Sequence, residues 1–240
     1  KFYNSLQKFN WYYLNEKFEY QIAKSFVKSN DIVVDAGCGR GAFFQQIADL
    51  NIQFTGIETS NKAVEMAIRD NINVINSKIV DFSEANKDFA DVVTSFQVCE
   101  HISELKEFIE SKIKIVKSGG RMIIAVPSDD SFISSNVNGI LNMPPHHISR
   151  WTDKVFHFIA KTYNLKLEKI IHEELQEHHH NFYLKNFMEN KIIKYKMIDL
   201  SLKRLLASKF FFYISILASI FYKPKKDIYG HTVVAVFIKE

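Results

Sequence analysis

The sequence predicts an α/β fold, a doubly wound sheet with helices on both faces. Three observations carry that expectation. Short, continuous apolar runs alternate with segments whose apolar residues recur at helical spacing, the pattern of strands buried on both sides. A glycine-rich turn, "DAGCGRG" at 35–41, directly follows the first of those runs and opens a helix. The 240 residues, 47% hydrophobic and 24% charged, suffice for one core in a single domain over 1–240.

Taken in order, the first thirty residues read as a helical cap, with Phe18, Ile22, Phe26 and Val27 as its apolar residues. "DIVVDA" (31–36) is a buried strand, followed by the glycine turn and the helix "AFFQQIADL". "IQFTGIE" (52–58) is the second strand, followed by the helix "NKAVEMAIRD". "INVINS" (72–77) and "ADVVTSF" (90–96) are the third and fourth. The helix "ELKEFIESKIKIV" leads to a fifth strand, "GGRMIIAVP" (119–127). A helix near 152–163 precedes a strand near 165–174, and "HTVVAVFIKE" (231–240) is the last of seven strands. Between those two strands lies a helical insertion, 175–230, placed where an open sheet carries a lid over its ligand crevice.

Composition narrows the function classes. A formal charge of +4 with scattered lysines does not signal a nucleic-acid surface. Cys38 and Cys99 are the only cysteines and form no CxxC pair, which argues against disulfide and zinc-cysteine frameworks and for a reducing, cytoplasmic setting. The N-terminal segment is aromatic and polar, without the apolar core of an export signal. "FFFYISILASIFY", 210–222, is too short to span a bilayer, which takes about 20 residues. Two readings stay open for it. One is a buried or homodimer-forming helix. The other is an interfacial helix in peripheral contact with a membrane, because Lys203, Arg204, Lys209, Lys223, Lys225 and Lys226 bracket it.

The glycine turn fits two nucleotide cofactors. Gly37, Gly39 and Ala42 satisfy the G-x-G-x-x-A dinucleotide pattern, and Glu58, 21 positions after Gly37, is placed to grip a ribose hydroxyl. Against an NAD-dependent dehydrogenase, Gly41 makes the turn G-x-G-x-G with Asp35 two residues before it. Tyr-x-x-x-Lys pairs occur at Tyr13–Lys17, Tyr20–Lys24 and Tyr222–Lys226, before the glycine turn or in the late insertion, and none directly follows the fourth or fifth strand. The chain also closes on a lone strand rather than a further βα unit.

These residues resemble the class I S-adenosylmethionine-dependent methyltransferases. "VVDAGCGRG" resembles the family's first motif, "FTGIETS" its second, "VDF" (80–82) its third, "ADVVTSFQVCEHI" the fourth-strand motif and "GGRMIIAVP" the fifth. The resemblance implies a Rossmann-like seven-stranded sheet of order 3-2-1-4-5-7-6 with the last strand antiparallel. It implies S-adenosylmethionine as cofactor, held by Asp35, Gly37, Cys38, Gly39, Gly41, Glu58, Thr59, Asp81, Phe82, Phe96 and Gln97. Trp11, Tyr12 and Tyr13 are read either as a cap on the cofactor or as core.

Methyl transfer needs an aligned nucleophile, a route for its proton and exclusion of water. The candidates are Glu100 and His101, after the fourth strand, and His146 and His147, with Arg150, after the fifth. Histidine suits the task because its ordinary pKa lies near neutrality. The Glu-His pair resembles ubiquinone-biosynthesis O-methyltransferases and small-RNA ribose methyltransferases, which carry Glu-x-x-Glu-His and can use a divalent metal to polarise the acceptor hydroxyl. Gln97 stands where their first glutamate does, removing an anionic ligand, so the expectation is a site without metal. "EHHHN" (177–181) is expected to face solvent, and Cys99 to be a small core residue. The favoured acceptor is an oxygen or nitrogen of a small or lipid- or glycan-linked metabolite. An RNA ribose and a non-catalytic scaffold are the alternatives.

Overall fold

The computed structural model describes residues 17–135, 142–194, 210–218 and 227–240. Trp11, Tyr12, Tyr13 and the six basic residues that bracket 210–222 lie outside the described residues. Seven strands form one sheet: β1 (Ile32–Ala36), β2 (Gln53–Glu58), β3 (Val74–Asn76), β4 (Ala90–Phe96), β5 (Val116–Pro127), β6 (Leu165–Glu174) and β7 (Tyr229–Lys239). Their order is β3-β2-β1-β4-β5-β7-β6. The pairs from β3 to β5 are parallel, and β7 runs antiparallel to both β5 and β6. Order and last-strand direction are those the sequence motifs imply.

Period-2 alternation divides the core in two. On one face Val33, Val92, Ile123, Val234 and Val236 pack under α1 (Phe18–Lys24), α2 (Ala42–Ile47) and α3 (Asn61–Arg69). On the other, Val34, Val93, Ile124, Ala235 and Phe237 pack under α4 (Ile79–Ala85), α5 (Leu105–Ile115) and α6 (Asp153–Thr162). A further helix, α7 (His180–Lys194), lies in the insertion, and 210–218 is helical.

Several elements differ from the sequence reading. The cap helix ends at Lys24, and the chain turns through Asn30 at φ 68° before β1. β3 spans Val74–Asn76 rather than 72–77, and Ile72, just before it, is buried in the same core cluster as Val74. β5 starts at Val116, three residues early; Gly119 turns at φ 77°, and a side chain on Gly120 would approach the Asp91 carbonyl to 2.8 Å. "VDF", to which the sequence reading gave no secondary structure, falls inside a helix, α4.

One polar trio links three elements of the fold. His172 Nε2 donates to Asp153 Oδ1 at 2.9 Å while Ser128 Oγ lies 3.4 Å from His172 Nδ1. Ser128 is fully buried while Asp153 is part-exposed, and the trio ties the first residue of α6 to the ends of β5 and β6.

Phe237, fully buried in β7, packs against Phe156 of α6. Phe237→Ala should lower unfolding free energy by about 3–5 kcal/mol, measured by urea denaturation, because the surrounding ladder cannot collapse into the cavity. A loss near zero would show that this region repacks freely.

Candidate active site

The site assembles at the carboxyl ends of the parallel strands, where backbone groups leave the sheet and ligands gather in open α/β folds. β1 is paired on both sides and ends in a turn. The turn is built from Gly37, Gly39 and Gly41 at φ 79°, 56° and 78°, a region that costs glycine nothing. Gly37 N–H and Cys38 N–H donate to the Ile57 carbonyl at 2.8 and 3.2 Å, and Gly41 N–H donates to the Cys38 carbonyl at 2.9 Å. A side chain on Gly37 would strike Val98 at 2.6 Å, whereas nothing lies within 4 Å of the position a Cβ on Gly39 would take. Gly37 therefore serves packing, and Gly39 faces open space, the room a ligand pressed against the backbone needs.

Glu58, at the end of β2, sets the shape of that space. Its Oε2 accepts from Gly39 N–H at 2.9 Å, and its Oε1 accepts from Thr59 N–H and Ser60 N–H, both at 2.8 Å. Asp35 is buried below the turn, where Thr94 Oγ1 donates to it at 2.8 Å. Burial pushes its carboxyl up to about 6, against the Thr94 hydrogen bond and the charge of buried Lys112. Lys112 donates to Ser95 Oγ at 2.6 Å and to the Ile123 carbonyl at 3.0 Å; burial brings its ammonium down to about 8.

The other expected cofactor residues sit as follows. Asp81 is exposed in the first turn of α4, beyond the end of β3, with half-buried Phe82 beside it. Cys38 is buried with its sulfur packed over Gly56. Phe96 turns into the core, its ring centroid 4.9 Å from that of Tyr20 and 4.7 Å from that of Phe43, and so anchors α1 and α2 under the turn. Gln97 adopts φ 55°, an uncommon backbone for a non-glycine, and its Nε2 donates to Thr232 Oγ1 at 3.4 Å.

The chain brings Glu100, His101, His146 and His147 together. Glu100 and His101 lie in a short helical turn, Cys99–His101, after β4. The segment after β5 returns over them: Ile148 N–H donates to the Glu100 carbonyl at 2.9 Å, and Ser149 Oγ to the Cys99 carbonyl at 3.4 Å. His146 and His147 share a turn in which both amides donate to the Met143 carbonyl. Their ring centroids lie 4.9 and 4.8 Å from that of His101 and 4.7 Å from each other. Burial, followed by neighbouring imidazoles, drives His147 down to about 3 and His146 below its ordinary value, so both are neutral at pH 7. Arg150 is exposed and pairs with Asp129 at 3.2 Å.

Glu100 is 1% exposed; burial above all pushes its carboxyl up to about 8, and its Oε2 has no hydrogen-bond partner. Two further acids join the rim. Gln97 hydrogen bonds the Glu19 side chain, and Glu173 Oε2 accepts from Thr232 N–H at 3.0 Å. The sequence signal for Glu19 is its phase: it stands at i, i+4 and i+7 with Ala23 and Phe26 on a helix face that packs inward. The solvent-facing expectation for 177–181 is corrected. His179 and His180 are half-buried, because the turn leading into α7 packs on Phe132, whose ring lies 5.9 Å from that of His179. Cys99 is fully buried, as its small apolar character implies.

Burial, reinforced by Glu19, raises Glu173 from 4.5 to about 7. In the unfolded chain this carboxyl ionises first, so between those values the native state keeps a proton that the unfolded state has released. The contribution of Glu173 to stability therefore falls as pH rises from 4.5 to about 7 and is constant above it. Glu173→Gln still accepts from Thr232 N–H and lacks this dependence. Denaturation midpoints should show the variant gaining on wild type across that window; a constant difference would mean an ordinary carboxyl.

Comparison with known proteins agrees with this geometry. A methyltransferase domain family matches residues 8–182. The ubiquinone biosynthesis O-methyltransferase of Vibrio cholerae serotype O1 is 30% identical over 99 residues, 39% of this chain and 40% of that protein. The mitochondrial ubiquinone biosynthesis O-methyltransferase of Schizosaccharomyces pombe is 30% identical over 104 residues, 40% of this chain and 38% of that protein. The match thus spans about two-fifths of these curated relatives. A SAM-dependent methyltransferase structure from Archaeoglobus fulgidus superposes with a TM-score of 0.62 at 17% identity, over 92% of this chain and 94% of that one. With the glycine turn, Glu58 and the strand order in place, the chain belongs to the class I S-adenosylmethionine-dependent methyltransferases.

Proposed function

We infer that the protein transfers the methyl group of S-adenosylmethionine to a hydroxyl oxygen of a small or lipid- or glycan-linked metabolite. The observation that carries this reading is the group Glu100, His101, His146 and His147 on the same rim as the glycine turn. Gly39, with open space beside it, and Glu58 fit the cofactor, whose sulfonium supplies an electrophilic methyl. A hydroxyl is a weak nucleophile until its proton leaves, and the imidazole cluster supplies acceptor nitrogens for that proton. His101 Nδ1 donates to the His146 carbonyl at 2.7 Å, which leaves the basic lone pair on Nε2. Glu100 and the 142–152 segment hold that ring in place and wall off water on its buried side.

Two features support an amphiphilic acceptor. The curated relatives are named for ubiquinone biosynthesis. Among the described residues, helix 210–218 leaves Phe210, Phe212, Tyr213 and Leu217 exposed.

Titration with S-adenosylhomocysteine, followed by an acceptor screen with labelled methyl donor, tests the reading. Gly39→Val should abolish S-adenosylhomocysteine binding in calorimetry while the chain stays folded, because its methyls would fill the open space; unchanged affinity would remove the turn from the cofactor site. With an acceptor in hand, His101→Ala should lower kcat by about 10²–10⁴-fold with little change in S-adenosylhomocysteine affinity. Equal losses in both would assign His101 a structural role. Label appearing on an amine instead of a hydroxyl would redirect the reading to nitrogen.

A further inference from the structure

The expectation of a site without metal rests on Gln97, yet the three imidazoles at this rim form a donor set that does not involve position 97. Among the described residues, one ligand atom from each of His101, His146 and His147 lies within 4.8 Å of the others. Two of the rings are anchored as metal ligands are. A carbonyl oxygen only accepts, so His101 Nδ1 carries the proton it donates to His146 O, and Nε2 keeps its lone pair. His147 Nδ1 likewise meets Asn142 Oδ1 at 3.0 Å. Donation of the far N–H to an oxygen is the arrangement that fixes tautomer and ring direction in histidine ligands.

A second observation comes from Glu100. Its carboxyl is almost wholly buried, Oε2 has no hydrogen-bond partner, and Oε1 lies 3.7 Å from His101 Nε2. A buried carboxyl oxygen without a partner is costly, and a positive neighbour would let this carboxyl ionise. A dication among the imidazoles supplies one.

We propose that His101, His146 and His147 bind a transition-metal dication of zinc's class, with Glu100 as the buried counter-charge beside it. The donor chemistry decides the metal. Neutral imidazole nitrogens suit Zn²⁺, Co²⁺, Ni²⁺ and Fe²⁺, whereas Mg²⁺ prefers carboxylate and water oxygens. This differs from a centre built on Glu-x-x-Glu-His, where Gln97 would have been a carboxylate. The inference deepens the methyl-transfer reading, rests on it for the ion's task, and changes one role in it. The ion would act as a Lewis acid on the acceptor oxygen, whose proton then leaves to solvent, because the imidazole lone pairs that would otherwise accept it are taken by the metal.

The test uses the full chain after chelator treatment, titrated separately with Zn²⁺ and Mg²⁺ by calorimetry and with Co²⁺ by visible absorption. S-adenosylhomocysteine binding is measured on every sample as the check on folding. The expected result is one strong Zn²⁺ site, weak or no Mg²⁺ binding, and intense visible Co²⁺ bands. His146→Ala/His147→Ala should remove the site, and Asn142→Ala, which frees only the His147 anchor, should weaken it by about 10–100-fold. His180→Ala, remote from the cluster in sequence, should leave it unchanged. Zn²⁺ binding that survives the double variant, equal affinity for Mg²⁺, or no Zn²⁺ binding by a chain that still binds S-adenosylhomocysteine would each overturn the proposal. The last result leaves methyl transfer standing with the imidazoles as bases alone. Failure to bind S-adenosylhomocysteine would instead strike the functional reading.

Discussion

The way β1 leaves the sheet is the constraint on which the rest depends. β1 is paired on both sides, and at its end the chain leaves the sheet through a tight turn with three positive-φ glycines. The turn is then held from two directions. From above, Glu58 gives one carboxylate oxygen to Gly39 and the other to Thr59 and Ser60, joining the ends of β1 and β2. From below, Asp35 is buried against Thr94, with Lys112 contributing its charge from α5. A cofactor meets a surface whose backbone is already ordered, so binding carries little conformational cost.

The buried Lys112 shows how far the interior bends to this task. An ammonium is costly to bury, and this one is met by the Ser95 hydroxyl, the Ile123 carbonyl and the nearby charge of Asp35. Asp35 and Lys112 depend on each other, since removing either leaves the other's charge in a low-dielectric interior. The pair ties α5 and the floor of the turn to the same point.

β7 does for the acceptor side what β1 does for the cofactor side. Because it runs antiparallel between β5 and β6, its first residues, not its last, arrive at the rim where the parallel strands end. That places Thr232 beside Gln97 and Glu173, and it carries His231 toward the histidine cluster, where its charge lowers His147. The 142–152 segment closes the same rim from β5, tied to the backbone of Cys99 and Glu100. Proton acceptors and buried acids are thereby concentrated on one side of the glycine turn.

The sequence by itself determined the strands and their alternation with helices, because burial on two faces forces continuous apolar runs such as "DIVVDA" and "ADVVTSF". It determined the glycine turn and Glu58, because positive φ and an acid at the end of β2 leave local marks. It marked His101, His146 and His147 as candidates but not as a group, since 45 residues separate the first two and only the return of the 142–152 segment joins them. Tertiary structure alone turned Phe96 into the core, set half-buried His179 against Phe132, and brought Glu19 and Glu173 to the rim. Those outcomes depend on which surfaces meet across the sheet. Local pattern records that a residue faces inward, and only packing decides what it faces.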